Sequence, residues 1–446
     1  MTFRKFGQIG LALVVSLGLG FGITSCSTDY TVAFLYVTGS QYNQVGAFQI
    51  LNNTGNLRVS KGSPYGSGGT YPIRAIVSTT GRYLYVLNEG SSSTDSSGNI
   101  TYSGANISVF SVGGSGNLAF QQAYTSQGTD SIRLSFDSTG SYLYVLDEYM
   151  PVQNASGEFI NASTSQSTTF PCPDPNTPGI WRPVGDITAF SVDLNTGRLS
   201  LITNNQLQNS NGTQLSTFPV GCFPIDFKVS AGYVYTADAG PVPGSNNTLF
   251  QTIYPYARNA TNGQLTVTQN SELPTNAVQI STIGSDQASK YIYVLDTGGN
   301  QIFYYTIGSS GLLQAVTGSP TPNAPASAVN PIALTSDSKS KFLYIANAGP
   351  ASGTTNPNSQ ISAFTIAANG VLAPIASPNP IATGSGPQCI LEDPSNQYIY
   401  TADFISSTVT GHVLDPNSGL LTDLRNATSY STVGNPTWCV ASGHTD

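Results

Sequence analysis

The sequence predicts an all-β protein, a seven-bladed β-propeller of four-stranded antiparallel blades. Three observations support this fold class. A Tyr-rich apolar phrase occurs seven times, an alternating strand and a Gly-Leu turn follow each copy, and a further strand precedes most copies. Blade-sized repeats made only of strand patterns are typical of propellers.

The apolar phrase predicts the second strand of each blade. Its copies read FLYVTG, YLYVLN, YLYVLD, YVYTAD, YIYVLD, FLYIAN and YIYTAD, and they superpose without insertion on Tyr36, Tyr85, Tyr144, Tyr235, Tyr293, Tyr344 and Tyr400. Val, Ile, Tyr and Phe with a period of two indicate strands rather than helices. The third strand follows, and a turn such as TGNL, which ends at Leu57, closes each unit. Glycine there provides the positive φ of a tight hairpin.

The innermost strand of each blade often begins with proline, as at Pro72, Pro224, Pro331, Pro387 and Pro436. Proline is tolerated as the first residue of a strand, where no ladder hydrogen bond is lost.

The two ends of the repeat region complement each other. The strand at 436–441 has the pattern of an innermost strand, but no Tyr-rich strand follows it. The Tyr-rich strand at 34–39 is the second strand of the first blade, but no innermost strand precedes it. We therefore expect the C-terminal strand to complete the first blade, which leaves no open sheet edge. The propeller domain is predicted at 34–441, with a tail at 442–446.

The N-terminus has the features of an export signal. Arg4 and Lys5 precede an apolar run at 9–23, and the residues up to Cys26 resemble the lipobox of bacterial lipoproteins. We expect a signal peptide at 1–25, an anchor linker at 26–33 and a membrane contact through lipid on Cys26. Because Ser27 follows the cysteine, an outer-membrane location in the cell envelope is expected for a Gram-negative host. The alternatives are an ordinary secretory peptide or a signal anchor.

Four cysteines remain after Cys26, an even number for an oxidising compartment. Cys389 and Cys439 lie on opposite faces of equivalent innermost strands, which should meet where blade seven adjoins blade one. Cys172 and Cys222 lie in loops at the same end of the blades. We predict the disulfides Cys172–Cys222 and Cys389–Cys439, and the alternative is four thiols.

Composition excludes several classes of function. Only 9% of residues are charged, the net charge is −8, and no basic stripe exists to bind nucleic acid. No zinc-binding spacing, phosphate loop or nucleophile elbow occurs, so no metal or cofactor is expected. The expected partner besides the membrane is a small ligand or an envelope protein.

Asn or Asp ends six of the seven second strands. The residues at this position are Gly39, Asn88, Asp147, Asp238, Asp296, Asn347 and Asp403. They could indicate a metal or acid–base site, but such side chains often bind backbone amides where a strand becomes a loop. We favour the scaffold interpretation.

Polar residues recur two positions after the start of the innermost strands, where we expect them to face the central channel. The residues assigned to this ring are Arg74, Arg133, Asp226, Gln279, Ala333, Cys389 and Trp438. Arg74, Arg133 and Asp226 come from consecutive blades and could together bind a carboxylate or phosphate. The alternative is an internal Arg–Asp pair without a ligand.

The loops at the end of the second strands are unequal, and long loops in units two, three, four and six predict a recognition face. Glu89 and Glu148 follow the Asn or Asp position and should lie on this rim, and Trp181 lies in the proline-rich loop of unit three. We expect Arg74, Arg133, Asp226, Gln279 and Trp181 to bind the ligand. Arg74, Arg133, Asp226, Glu148 and Glu89 are the catalytic candidates.

The YLYVLN phrases and the pattern F-x-V-x-x-x-x-G-x-L resemble the lactonase-type seven-bladed propellers, a family that includes 6-phosphogluconolactonase and is similar to YVTN-type repeat proteins. The resemblance implies a functional role for only three residues of this chain, Arg133, Glu89 and Glu148. The family's histidine at the start of innermost strands is replaced here, as in the segment from Ser131 to Arg133. Two functions are expected: a module that binds a ligand or partner, or a lactone hydrolase in which Glu148 or Asp226 activates water and an arginine stabilises the oxyanion.

Overall fold

The computed structural model describes residues 29–94, 100–153, 159–160, 171–174, 181–208, 212–240, 251–268, 272–350, 358–376 and 380–443. The chain divides into two units, Met1–Tyr30 and Thr31–Asp446. In the first unit only Asp29 and Tyr30 are described, so the leader and Cys26 lie outside the described residues. Across the described ranges, no helix has the length and apolarity needed to cross a membrane.

The described part of the second unit consists of strands, turns and loops. Seven antiparallel sheets form the blades, and each contains four main strands in the expected order. The innermost strands of blades one to seven are Pro436–Gly443, Pro72–Val77, Thr129–Phe136, Pro224–Ser230, Ile280–Ser285, Pro331–Ser336 and Pro387–Glu392. The second strands are Thr31–Gly39, Tyr83–Asn88, Tyr142–Tyr149, Tyr233–Asp238, Tyr291–Asp296, Phe342–Asn347 and Tyr398–Asp403.

Two further layers complete the blades. The third strands are Gln44–Leu51, Asn106–Val112, Asp186–Val192, Thr252–Arg258, Gln301–Ile307, Gln360–Ile366 and Thr408–Leu414. The outer strands are Leu57–Val59, Leu118–Tyr124, Leu199–Ile202, Leu265–Val267, Leu313–Ala315, Leu372–Pro374 and Leu421–Asp423. Short fifth strands pair with the third strand at Tyr65–Gly66, Phe218–Pro219, Leu273–Pro274, Thr321–Pro322, Ile381–Ala382 and Ser429–Ser431.

Three two-stranded hairpins lie in the long loops of blades two and three. Their strands are Ser91–Thr94 with Ile100–Ser103, Val152–Gln153 with Phe159–Ile160, and Cys172–Pro173 with Trp181–Arg182.

The ring closes as the sequence predicts. The C-terminal strand Pro436–Gly443 pairs with Thr31–Gly39, placing Trp438 opposite Thr38 and Val440 opposite Tyr36. Innermost strands of consecutive blades contact each other all the way round, including blade seven with blade one. The seven-bladed, four-stranded propeller is therefore confirmed.

The hydrophobic core lies between neighbouring blades. One cluster joins Tyr400 and Ala402 of blade seven to Leu35 and Val37 of blade one, and equivalent clusters occupy the other interfaces. Each blade therefore buries its apolar faces only against its neighbours, as in other repeat architectures.

The repeated tyrosine and the repeated turn glycine, far apart in sequence, are partners in space. In six blades the buried tyrosine hydroxyl donates a hydrogen bond to the turn glycine carbonyl of the next blade. The pairs are Tyr36–Gly116, Tyr85–Gly197, Tyr144–Gly263, Tyr235–Gly311, Tyr344–Gly419 and Tyr400–Gly55. In blade five the hydroxyl of Tyr293 has no hydrogen-bond partner among the described residues. The two sequence motifs thus link successive blades.

We expect the Tyr144→Phe substitution to lower the free energy of unfolding by about 1 kcal/mol, because it removes a buried hydrogen bond of 3.0 Å to Gly263. The matched control is Tyr293→Phe, which removes an equally buried hydroxyl that has no partner in the described chain. Urea denaturation of both variants measures the difference. Equal effects would contradict a stabilising role for the Tyr–Gly contact.

Candidate functional site

The innermost strands surround an axial channel that contains two cavities. We call the end with the long loops the upper face and the opposite end the lower face. The lower cavity, of about 500 Å³, is lined by all seven innermost strands. The upper cavity, of about 290 Å³, is lined by Tyr71, Ile73, Arg74, Glu89, Ile132, Arg133, Gln388, Phe404 and Thr437. Arg74 and Arg133 line both cavities and therefore lie at their boundary.

Arg133 and Asp226 form an ion pair across blades three and four. The Arg133 Nε lies 3.0 Å from the Asp226 Oδ1, and another guanidinium nitrogen donates to the carbonyl of Ile132. Arg133 and Asp226 thus form an internal Arg–Asp pair of the kind considered from the sequence. A paired carboxylate of this kind fixes the orientation of Arg133 at the cavity boundary.

Arg74 differs because it has no carboxylate within ion-pair distance among the described residues. Its guanidinium lies over the Trp438 ring, 4.1 Å from the ring centroid, and donates to the carbonyls of Ile73 and Thr437. Its Nε is buried without a hydrogen-bond partner in the described part of the chain. Burial, with a further contribution from Arg133, lowers the pKa of Arg74 from its ordinary value. At the cavity boundary, no described residue provides a counter-ion for this guanidinium.

The placement of Gln279 in the channel ring is wrong. In blade five the innermost strand begins at Ile280, which pairs with Asp296, so Thr282 occupies the channel position. Gln279 lies in the preceding loop, where its main-chain N–H donates to Asp296. The error arises because blade five has no proline to mark the strand start.

Glu89 is half-buried in the wall of the upper cavity together with Arg74 and Arg133. Burial, and secondarily the charge of Asp130, raise the pKa of Glu89 to about 7. A carboxyl group with this pKa can accept or release a proton near neutral pH. The upper cavity thus combines guanidinium groups with an acid–base group.

Glu148 lies in an acidic cluster with Asp130 and is not part of the upper-cavity lining. The hydroxyl of Tyr149 donates to Glu148 at 2.5 Å, and Glu148 also shares a hydrogen bond with Asp130, which Tyr102 contacts as well. Burial and Asp130 raise the pKa of Glu148 to about 7, and burial also raises the pKa of Asp130.

Both predicted disulfides are present, Cys172–Cys222 and Cys389–Cys439. The first joins the hairpin that carries Trp181 to the segment before the innermost strand of blade four. Trp181 is half-buried opposite Pro173 and is not among the described residues that line the two channel cavities. Its assignment as a ligand-binding residue therefore has no support from the cavity geometry.

Two of the residues that end the second strands, Asp147 and Asp296, have the hydrogen bonds that the scaffold interpretation expects. Asp147 accepts hydrogen bonds from Ser126, Ser131 and Thr188, and Asp296 accepts them from main-chain amides including that of Val278. Within the described ranges, no group of three His, Cys, Asp or Glu side chains is arranged to hold a metal ion.

The sequence interpretation missed a conformational feature at the upper end of the innermost strands. Asp130, the second residue of Thr129–Phe136, has a φ of 60°, and the residues directly before the strand-opening prolines of other blades also have positive φ: Tyr71, Phe223, Asn330 and Asn435. Asn330 and Asn435 could have indicated this positive φ from the sequence, because Asn adopts it more readily than most residues. Lys228 could also have been found, because it lies two residues after Asp226 on the same strand.

Comparisons with known proteins agree with this architecture. The sequence model of the family described as "Lactonase, 7-bladed beta-propeller" matches residues 314–441. No curated protein matches the sequence.

Solved structures show the same fold at low sequence identity. A candidate 6-phosphogluconolactonase from Bacteroides fragilis is 15% identical with a TM-score of 0.60, and the match covers 93% of this chain and 99% of that one. The periplasmic gluconolactonase of Pseudomonas aeruginosa is 15% identical with a TM-score of 0.61, over 92% of this chain and 99% of that one. A Lactobacillus plantarum protein is 14% identical with a TM-score of 0.60, over 92% and 99%.

The family match extends over blades six and seven and the closing strand, and the structural matches extend around the ring. The chain is a seven-bladed β-propeller, and its residues 314–441 match the sequence model of the family described as "Lactonase, 7-bladed beta-propeller".

Proposed function

We propose that the protein binds a small organic anion in the upper cavity, with Arg74 as its principal charge partner. The observation that carries this proposal is the guanidinium of Arg74, which lies at the cavity wall without a carboxylate partner among the described residues. An uncompensated charge at a partly buried site is unfavourable, and a ligand carboxylate or phosphate would compensate it with charge-assisted hydrogen bonds.

The other residues of the upper cavity favour a ligand that is both polar and apolar. Ile73, Ile132 and Phe404 provide apolar surface, whereas Gln388 and Thr437 provide hydrogen-bonding groups. The volume of about 290 Å³ is at the lower end of the range for ligand pockets. A sugar acid or a similarly small hydroxy acid has the matching size and polarity.

Calorimetric titration of the purified full chain with gluconate tests this proposal, with uncharged sorbitol as the matched control. We expect saturable binding of gluconate, weaker binding at high salt and no binding of sorbitol. Equal binding of the two compounds would contradict recognition of the anion.

We also propose that the protein is exported and attached to a membrane by lipid on Cys26, at the outer membrane in a Gram-negative host. The two disulfides support an oxidising compartment, because such bonds are rare in the cytosol. The lipobox-like sequence before Cys26 supports the anchor.

The Cys26→Ser variant is expected to move from the membrane fraction to the soluble extracytoplasmic fraction. Loss of two or more acyl chains removes the anchor, since each buried methylene contributes about 0.8 kcal/mol. Cell fractionation followed by immunoblotting measures this distribution. Retention of the variant in the membrane would instead indicate an uncleaved signal anchor.

A second candidate function is lactone hydrolysis, which is favoured by the presence of Glu89 in the same cavity as the arginines. In this proposal the Glu89 carboxylate takes a proton from water as the water oxygen attacks the lactone carbonyl. A guanidinium stabilises the oxyanion, the ring ester bond breaks, and the proton passes to the leaving alkoxide to give a hydroxy acid.

Asp226 is unsuitable as the base because its carboxylate already accepts hydrogen bonds from Arg133, Thr282 and two main-chain amides. Glu148 does not line the cavity. The general-base role therefore moves from Glu148 or Asp226 to Glu89.

If the chain is a lactonase, its rate should rise as the pH increases through about 7, because Glu89 must be deprotonated to act as a base. Glu89→Gln should remove this rise and lower the rate about 100-fold or more. Glu148→Gln is the matched control, since the pKa of Glu148 is also about 7 but this residue is absent from the cavity lining. Hydrolysis of glucono-1,5-lactone, measured above the spontaneous rate, provides the readout. A pH profile unchanged in Glu89→Gln would contradict the assignment.

A further inference from the structure

The lower half of the channel contains a second cation, Lys228, that has no ion-pair partner among the residues the structure describes. Lys228 belongs to the innermost strand of blade four and lines the lower cavity of about 500 Å³. It also lines a smaller cavity of about 240 Å³ between blades three, four and five. Ser135 of blade three and Ser285 and Gln287 of blade five line the same two cavities as the lysine.

Asp226, two residues before Lys228, has no hydrogen-bonding capacity left for it. Its Oδ1 accepts from the Arg133 Nε at 3.0 Å and the Phe227 N–H at 2.9 Å. Its Oδ2 accepts from the Thr282 hydroxyl at 2.5 Å and the Ile283 N–H at 3.1 Å. A carboxylate has about four acceptor positions, and all four are used. Asp226 therefore neutralises Arg133 and not Lys228.

Other charged groups near the lower cavity are also engaged. Glu392 accepts the Ser338 N–H at 2.6 Å and belongs to blade seven, three blades away from Lys228 around the ring. In the smaller cavity, Asp137 pairs with Arg258 at 3.4 Å. Among the residues that the structure describes, the Lys228 amine has neither a hydrogen bond nor an ion pair. Burial lowers its pKa, and the charge of Asp226 opposes this only in part.

Asp286, which also lines the smaller cavity, is almost completely buried. Its Oδ1 accepts the main-chain N–H groups of Lys290 and Tyr291. Its Oδ2 is buried without a hydrogen-bond partner among the described residues, and no ion pair joins Asp286 to Lys228 there.

We propose that Lys228 is the centre of a second anion-binding site, which takes a small carboxylate or phosphate group in the lower half of the channel. The ammonium group offers three donors, and the hydroxyls of Ser135 and Ser285 and the amide of Gln287 can add further hydrogen bonds. Two residues along a strand correspond to about 7 Å, so this site lies one layer below the arginines. It is independent of the anion site proposed for the upper cavity.

The small number of lysines makes a direct test possible, because the sequence contains only six. Reductive methylation of the full chain with ¹³C-formaldehyde gives one NMR signal for each dimethylated lysine, and the Lys228→Met variant assigns the signal of Lys228. Inorganic phosphate and acetate are then titrated separately. We expect a saturable shift of the Lys228 signal, and the anion that saturates at the lower concentration identifies the preferred group.

Exposed Lys290, Lys339 and Lys341 provide internal controls in the same spectrum. If Lys228 shifts only at anion concentrations that also shift these three signals, the interaction is nonspecific and the proposal is wrong. The titration is repeated with Arg74→Met, which removes the charge of the upper site. Persistence of the Lys228 shift supports a separate site, whereas its loss would place the anion in the upper cavity and overturn the proposal.

A Lys228→Arg variant keeps the test valid if Lys228→Met fails to fold. Its spectrum lacks the Lys228 signal and so provides the same assignment, while the positive charge is retained. Phosphate binding, measured by calorimetry on Lys228→Arg combined with Arg74→Met, should remain, because the lower site keeps its charge and several donors while the upper site loses its charge. Loss of that binding with the fold intact would contradict a site based on charge compensation.

Discussion

Arg74→Met is expected to weaken binding of a small organic anion roughly 10- to 100-fold while leaving the protein at least as stable as the wild type. Charge-assisted hydrogen bonds contribute about 1.5–3 kcal/mol, which corresponds to this range of affinity. Methionine retains much of the packing over Trp438 but removes the positive charge. Because that charge has no counter-ion among the described residues, its removal should not destabilise the fold.

The matched control for this substitution is Arg82→Met, which removes an exposed arginine from the same blade. Calorimetric titration gives the affinity, and thermal unfolding without ligand gives the stability. Unchanged affinity in Arg74→Met would place the ligand elsewhere. A large fall in thermal stability would show that Arg74 is mainly structural, and would remove the observation on which the proposed anion site depends.

Arg74→Met is expected to weaken anion binding without lowering stability, and this combination distinguishes Arg74 from Arg133. Arg133→Met would leave the Asp226 carboxylate without its ionic partner, and breaking a buried pair is costly. A loss of binding in that variant could therefore result from misfolding. Arg74 is the better residue for testing function because no described carboxylate depends on it.

The sequence determined the architecture well because each blade repeats the same local signals. The phrase around Tyr344, the turn before Leu372 and the proline at Pro387 occur in a fixed order, and each is explained by strand, hairpin or strand-start chemistry. The cross-blade disulfide also followed from the repeat, since Cys389 and Cys439 have nearly equivalent positions on neighbouring innermost strands.

The repeat became less informative where a blade lacks one of its signals. Blade five has no proline at the strand start, so the channel position was assigned to Gln279 instead of Thr282, three residues later. The hydrogen bond from Tyr144 to Gly263 was not predicted either, because it joins different blades and residues 119 apart. Such contacts depend on how blades pack, which a pattern within one blade does not specify.

Side-chain pairing in the channel was the least predictable property. The sequence placed Arg74, Arg133 and Asp226 on consecutive blades, but it could not tell which arginine takes the carboxylate. In the structure Asp226 binds Arg133 and contacts Thr282 of the following blade, which leaves Arg74 against Trp438. Arg74 therefore has no carboxylate partner in the described part of the chain, and only the three-dimensional arrangement determines which arginine Asp226 binds.

Replacing both Cys389 and Cys439 with serine is expected to lower the free energy of unfolding by about 4 kcal/mol and also to weaken anion binding. The disulfide closes a loop with a sequence separation of 50 residues, for which the chain-entropy model gives the stated value. It also joins blade seven to the strand that completes blade one. On that strand, Thr437 accepts a hydrogen bond from Arg74 and the Trp438 ring lies against its guanidinium.

The double variant Cys172→Ser and Cys222→Ser is a closely matched control, because its sequence separation is also 50 residues. The entropy model predicts the same loss of stability for both variants, but only Cys389–Cys439 lies next to Thr437 and Trp438. Denaturant titration and calorimetry, under conditions where both variants are folded, should therefore show similar destabilisation and a loss of anion affinity in the Cys389/Cys439 variant alone. Wild-type affinity in that variant would mean that the pairing of Thr38 with Trp438 in the sheet is sufficient to hold the ring over Arg74. Equal loss of affinity in both variants would mean that the site responds to general destabilisation rather than to the junction of blades seven and one.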